Sequence, residues 1–355
     1  MAAPAAPGAI ARPKVDLYSD TVTRPTPGMR KAIAEAEVGN EQAHEDPTVN
    51  RLHEMVATLL GKEAALFLPS GTMCNEIAYR VWCAQGDEII LDETGHALHF
   101  EAGGPAALAG AMTRPVRGVR GIFSGADVEA AIRPKNRHAP RQKLVSIENT
   151  ANLGGGAIWP LETVKGVADA ARRHGMRLHM DGARLLNAVV ASGVSATDFA
   201  ADCDSVWIDL SKGLGCPVGG VLAGSAEFIE EAWRFKHQFG GAMRQAGIVA
   251  AAGVYALEHH VERLADDHAR ARRFAEGIAG VKGVRVAANE IETNMVYFHV
   301  DGTGQDGPTF SRRLLAEHGI RIGVVGGPMR AVTHLDVDDA GIDAAIAAVR
   351  AVAGG

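Results

Sequence analysis

LSKGLGCPVGG, residues 210–220, places one lysine among glycines directly after the strand-like apolar run Ser205–Asp209. Set between small neighbours, Lys212 can approach a flat molecule without side-chain crowding. Upstream, a second strand-like run, Arg177–Met180, ends on Asp181, and Arg184 follows three residues later. Taken singly, such a lysine is most often a solvated charge, and an Asp at a strand end is most often a cap or turn residue. Here each follows its own strand, and this order puts both on one edge of a parallel sheet, where ligands of open α/β folds collect. A Schiff-base lysine, an acid for a pyridine nitrogen and an arginine for a substrate carboxylate form the set that pyridoxal 5'-phosphate chemistry uses.

The pattern extends outward in both directions. Residues 51–60 read as a helix, EAALFL (63–68) as a buried strand and MCNEIAYRVWCA (73–84) as a helix. Between them Ser70-Gly71-Thr72 is either a phosphate-binding turn at a helix start or simply an N-cap. Strands follow at DEIIL (87–91), KLVSIEN (143–149), RLHMD (177–181) and SVWIDL (205–210), with the helix LETVKGVADAARRHG at 161–175. Alternation of this kind predicts a mostly parallel sheet covered by helices on both faces. An Ala-rich helical segment runs from Gln245 to about Arg273. Beyond it MVYFHV (295–300), a helix near Phe310–His318, RIGVV (321–325) and RAVTHLDV (330–337) predict a smaller α+β unit with antiparallel strands. The expected organisation is a disordered tail over 1–13, an N-terminal segment and large domain over 14–255, and a small C-terminal domain over 256–355.

With 355 residues, 47% hydrophobic and 22% charged, the composition is that of an ordinary globular protein of about two domains. A formal charge of −6, with no basic run interleaved with aromatics, argues against a nucleic-acid partner. Cys74, Cys83, Cys203 and Cys216 have no metal-like spacing and are too few for a disulfide framework, so reduced thiols in a cytoplasm are expected and no metal site is. No apolar run is long enough to span a bilayer, so no membrane partner is expected.

DLYSDTVTRPT (16–26), EDPTVNRL (45–52), GKEAALFLPSGTMCN (61–75), HFEAGGPAAL (99–108), IENT (147–150), HMDGARLLNAVVA (179–191), LSKGLGCPVGGVLAG (210–224), GGAMRQAGIVAAAGVYAL (240–257) and VTHLDV (332–337) occur in order along the chain. By these motifs it resembles the low-specificity L-threonine aldolases, pyridoxal phosphate enzymes of the aspartate-aminotransferase-like fold type I, from Val15 to about Val337. The resemblance implies a large domain with a mostly parallel sheet of the seven-stranded type. It makes Lys212 the cofactor-bearing lysine, Asp181 the partner of the pyridinium nitrogen and His96 the residue stacked on the ring. Gly71 and Thr72 would hold the phosphate, and Arg244 would reach a phosphate from a neighbouring subunit of a homodimer or homotetramer. Ser19, Arg184 and Arg330 would bind the amino-acid carboxylate. The implied reaction cleaves L-β-hydroxy-α-amino acids such as L-threonine or L-allo-threonine to glycine and an aldehyde. An aminotransferase or β-eliminating lyase on the same fold is the alternative in another reaction class.

Three positions depart from the family pattern. Ala151 follows Glu148-Asn149-Thr150 where the family usually has histidine, Ala43 stands where tyrosine is common, and His237 where lysine is common. The two alanines predict a roomier pocket at the substrate β-carbon, suited to bulkier substrates such as L-phenylserine. They also leave the hydroxyl proton to His44, His96 or a water. His44 reads equally well as a surface-loop residue, His99 as a packed or surface residue, and His259-His260 as a helix-surface pair.

Overall fold

The computed structural model describes residues 12–287 and 290–354; positions 1–11 of the expected tail lie outside the described residues. Seven strands form the central sheet: β2 (Ala64–Leu68), β3 (Glu88–Asp92), β4 (Met112–Val116), β5 (Gln142–Glu148), β6 (Arg177–Gly182), β7 (Ser205–Asp209) and β8 (Gly220–Gly224), with β1 (Val15–Asp16) lying apart. Their spatial order is β2-β8-β7-β6-β5-β3-β4. All neighbours run parallel except β8, which is antiparallel to both β2 and β7. Every residue of β3, β7 and β8 is buried, as expected where helices cover both faces of a sheet. Two of the seven strands were not legible as strands. β4 is a partly exposed edge strand that tolerates Pro115, and β8 is bounded by glycines inside the lysine motif.

The helix read over 73–84 runs from Gly71 to Trp82, two residues earlier, because Ser70 is its N-cap and accepts a hydrogen bond from Met73 N at 3.3 Å. The Ala-rich segment is two helices rather than one, Gly247–His259 and Leu264–Ala279. His260 lies at the break and is buried, with Nδ1 donating to Leu214 O at 2.7 Å, so it is no helix-surface residue.

The C-terminal sheet comprises β9 (Arg285–Val286), β10 (Met295–His299), β12 (Gly323–Val324) and β13 (Met329–Val332), all antiparallel, in the order β12-β13-β10-β9. The intervening strand β11 (Ile320–Arg321) pairs instead with β1, so the N-terminal segment crosses to the C-terminal unit. The hydrophobic cores separate accordingly. One runs from Met29 to Leu264 around the large sheet, and another combines Leu17 with residues between Ala271 and Val352. Among the described residues, no helix is long and apolar enough to cross a membrane, and all four cysteines are free and buried.

Candidate active site

Asp181 and the residues leading to Lys212 stand at the same end of adjacent parallel strands, with Asp181 in register with Glu148 of β5 and Trp207 of β7. Three residues past the end of β7, Lys212 Nζ meets Asp209 Oδ2 at 2.5 Å. Gly71 opens its helix against the same point. A Cβ there would collide with the Trp207 ring and sit 3.2 Å from Asp209 Oδ2. The helix start can therefore approach only because the residue is glycine. Ser70 caps Met73 N, leaving the N–H groups of Gly71 and Thr72 without acceptors in the helix, an arrangement that favours an anion.

Behind Asp181 lies a polar network that local spacing did not reveal. Asn75 Nδ2 donates to Asp181 Oδ2 at 2.8 Å and to Glu101 Oε1 at 2.7 Å, while its Oδ1 accepts from Trp207 Nε1 at 2.6 Å and His179 Nε2 at 3.1 Å. His96 Nδ1 lies 2.8 Å from the same Glu101 oxygen, and His96, Glu101 and Asp181 converge with polar atoms within 4.8 Å of one another. Burial pushes the Asp181 carboxyl up from its ordinary value, a trend opposed by His96, Lys212 and Asn75. For His96, burial favours the neutral ring, but the hydrogen bond that Nδ1 donates to Glu101 and the charges of Asp181, Glu101 and Glu148 outweigh it and raise its basicity. Glu148 accepts from His96 N and Asn152 N, each at 2.8 Å. Burial and the Asp181 charge push its carboxyl up to about 7.

The residues expected at the substrate carboxylate are gathered by the N-terminal segment. Arg184 donates through Nε and Nη2 to buried Asp20, at 2.7 and 2.6 Å, leaving Nη1 as the end without a protein partner among the described residues. Ser19, also buried, neighbours that pair. Arg330 on β13 donates from Nη1 to Asn152 Oδ1 at 2.9 Å and from Nη2 to Tyr18 O at 3.3 Å, while its buried Nε has no hydrogen-bond partner among the described residues. Neither Asp20 nor Asn152 was singled out in the sequence. The signal for Asp20 is its position beside Ser19 in a motif that crosses to the second core.

His44 and Arg244 are not part of this cluster. His44 is exposed, in the left-handed conformation at the end of the turn Glu41–Ala43, with its ring edge-on to Trp233. Arg244 Nη1 donates to Gln42 Oε1 at 2.9 Å, which packs it against the surface segment that carries His44. Ala43 is exposed on that segment, whereas Ala151 is buried and lines a cavity with His96, Glu148 and Asp181. The two alanines therefore do not share a pocket within one chain. His99 is exposed and bonded to Glu93 O, and His237 stands on an exposed helix end.

A pyridine cofactor with a phosphate fits this donor set. Lys212 supplies an amine, Asp181 an acid, the Gly71–Thr72 helix start an anion site, and beside Asp181 the buried Asn149 Nδ2 and Thr150 Oγ1 have no partner among the described residues. The family model described as beta-eliminating lyase matches residues 16–301. The chain is 43% identical over 310 residues to low-specificity L-threonine aldolase 1 of Arabidopsis thaliana, covering 86% of this chain and 87% of that protein. The low specificity L-threonine aldolase of Escherichia coli K12 is 41% identical over 326 residues, covering 91% and 94%. The chain belongs to the low-specificity L-threonine aldolase family, within the beta-eliminating lyases. Among solved structures, Leishmania major threonine aldolase superposes with a TM-score of 0.81 at 20% identity, covering 96% of this chain and 99% of that one. The aspartate aminotransferase of Rhizobium meliloti does so with a TM-score of 0.69 at 14% identity, covering 96% and 92%. The architecture is fold type I, and pyridoxal phosphate is the cofactor of this fold and family, a carbon-carbon lyase family.

Proposed function

We propose that this protein cleaves L-β-hydroxy-α-amino acids, with L-threonine and L-allo-threonine the simplest, to glycine and an aldehyde. The observation that carries the reading is the placement of Asp181 and Lys212 at the same end of adjacent strands, and Arg184 and Arg330 are the proposed carboxylate site. Bound pyridoxal phosphate supplies the sink for the electron pair left on Cα when the Cα–Cβ bond breaks. Lys212 holds the cofactor between turnovers, and Asp209 at 2.5 Å keeps its amine in place. Arg184 Nη1 and Arg330 Nε offer N–H groups to the substrate carboxylate and so fix which Cα bond is cleaved. Asp181 holds negative charge where the ring nitrogen carries its proton. His96, with Nδ1 engaged by Glu101, takes the β-hydroxyl proton at Nε2 as the aldehyde leaves, and Cα then regains a proton to give glycine.

His44 and Arg244, exposed on two packed surface segments, suit a role in a neighbouring subunit's site in a homodimer or homotetramer. Buried, reduced cysteines suit a cytoplasmic location. The working domain division is 14–255 and 256–355. The deciding experiment supplies the cofactor-loaded protein with L-threonine, L-allo-threonine and L-phenylserine and assays aldehyde and glycine. Equimolar aldehyde and glycine support the aldolase. A keto acid with cofactor converted to its amine form would instead make it a transaminase.

A further inference from the structure

The helix beginning at Gly71 brings a second acid to the His96–Glu101 pair. Glu76 is 1% exposed, and neither of its carboxyl oxygens has a donor among the described residues. Its carboxyl fits only because residue 104 is glycine, where a Cβ would collide with Glu76 Oε1. Glu101, with a fully buried side chain, uses Oε1 for Asn75 and His96, and its Oε2 is likewise without a donor. Two adjacent buried carboxyls with orphaned oxygens satisfy each other in one way: one keeps a proton and donates it to the other. Glu101 already accepts from Asn75, so Glu76 is the one that retains the proton. Burial and the Glu101 charge both push the Glu76 carboxyl up, to about 9. The groups facing the pair are His96, Asn75 and Asp181, with Cys74 and Tyr79 on the same helix as Glu76.

We propose that Glu76 is a positioning residue that donates its carboxyl proton to Glu101 Oε2, so that Glu101 stays an acceptor and keeps the proton of His96 on Nδ1. With Nδ1 protonated, Nε2 is the nitrogen free to take a proton. Without the Glu76 donor, Glu101 becomes the group that holds a proton, and it can then donate to Nδ1 and drive the ring into the opposite tautomer. The proton moves between oxygens of the pair only, and no other reactant is needed. This inference rests on the proposed role of His96 but is tested apart from it.

The test compares wild type, Glu76→Gln and Glu76→Leu, all loaded with pyridoxal phosphate. Infrared difference spectra at neutral pH, wild type minus Glu76→Gln, should show a protonated-carboxyl C=O band from Glu76, whereas Glu76→Leu should keep a shifted band that now belongs to Glu101. Nitrogen NMR should find His96 protonated on Nδ1 in wild type and Glu76→Gln, whose amide still donates, but on Nε2 in Glu76→Leu. Kinetically, Glu76→Leu should lose at least about tenfold in kcat with KM little changed, and Glu76→Gln should recover most of that loss. The alkaline fall of kcat that follows Glu76 ionisation in wild type should be missing from Glu76→Gln. An ionised Glu76 at neutral pH, or the same His96 tautomer in all three proteins, overturns the proposal. If the band and tautomers behave as stated while no variant or wild type cleaves a hydroxy amino acid, the aldolase reading fails and the positioning role stands.

Discussion

Asp20 holds Arg184 by two hydrogen bonds at 2.7 and 2.6 Å, with both side chains buried, although the residues are 164 positions apart. Burial by itself raises the Asp20 carboxyl, yet the Arg184 charge, its hydrogen bonds and Lys212 hold it well below the usual carboxylate range. The pair therefore aims the guanidinium while leaving one end of it for another carboxylate.

Asp20→Asn should destabilise the protein by roughly 3–5 kcal/mol, because it leaves a buried guanidinium without its counter-charge. A carboxyl whose folded value is depressed contributes stability above its ordinary 3.8, and that contribution fades on further acidification. Denaturant titrations at a series of pH values should thus find a wild-type advantage that is full at neutral pH and shrinks below 3.8. An advantage that grew with acid would contradict the pairing.

Lys212→Ala should abolish turnover. It should also remove the borohydride-trappable link between protein and pyridoxal phosphate, read by absorbance and intact mass. Circular dichroism should be unchanged, because the ion pair Lys212 makes is a local one with Asp209, three residues before it. Retained covalent capture would move the Schiff base to another lysine.

Glu148 predicts the opposite pH slope from Asp20. Its carboxyl is raised from 4.5 to about 7, so the folded protein binds the extra proton in that interval and stability falls as pH rises through it. Glu148→Gln removes the titrating group, and cofactor-free variant protein should show a flatter stability profile between pH 4.5 and 7. Identical slopes in the two proteins would mean that Glu148 is ionised throughout.

Ala151 borders the cavity that contains His96, Glu148 and Asp181, and a Cβ on Gly121 would come within 2.8 Å of its methyl. An imidazole placed here has to occupy the cavity. Wild type should favour L-phenylserine over L-threonine in kcat/KM, since burying the ring contributes roughly 1.5–3 kcal/mol. Ala151→His should lower that ratio by at least about tenfold, corresponding to 1.4 kcal/mol. A ratio that is unmoved by the substitution would place the aryl group elsewhere.

The chain's local order was enough to read the parallel-sheet class, the strand ends that present Asp181 and Lys212, and the small-residue turn Ser70-Gly71-Thr72 that leads into a helix. Alternation, apolar runs and glycine clusters are properties of neighbouring residues, and backbone geometry responds to them directly. Tertiary structure alone decided that Asn75 joins Asp181 to Glu101, that Asp20 takes Arg184, and that Glu76 lies against Glu101. It also inserted β8 antiparallel between β2 and β7, and it separated Ala43 from Ala151. These relationships depend on which strands become neighbours and which loops cross between the two cores. Long-range packing sets both, and residue spacing carries no record of either.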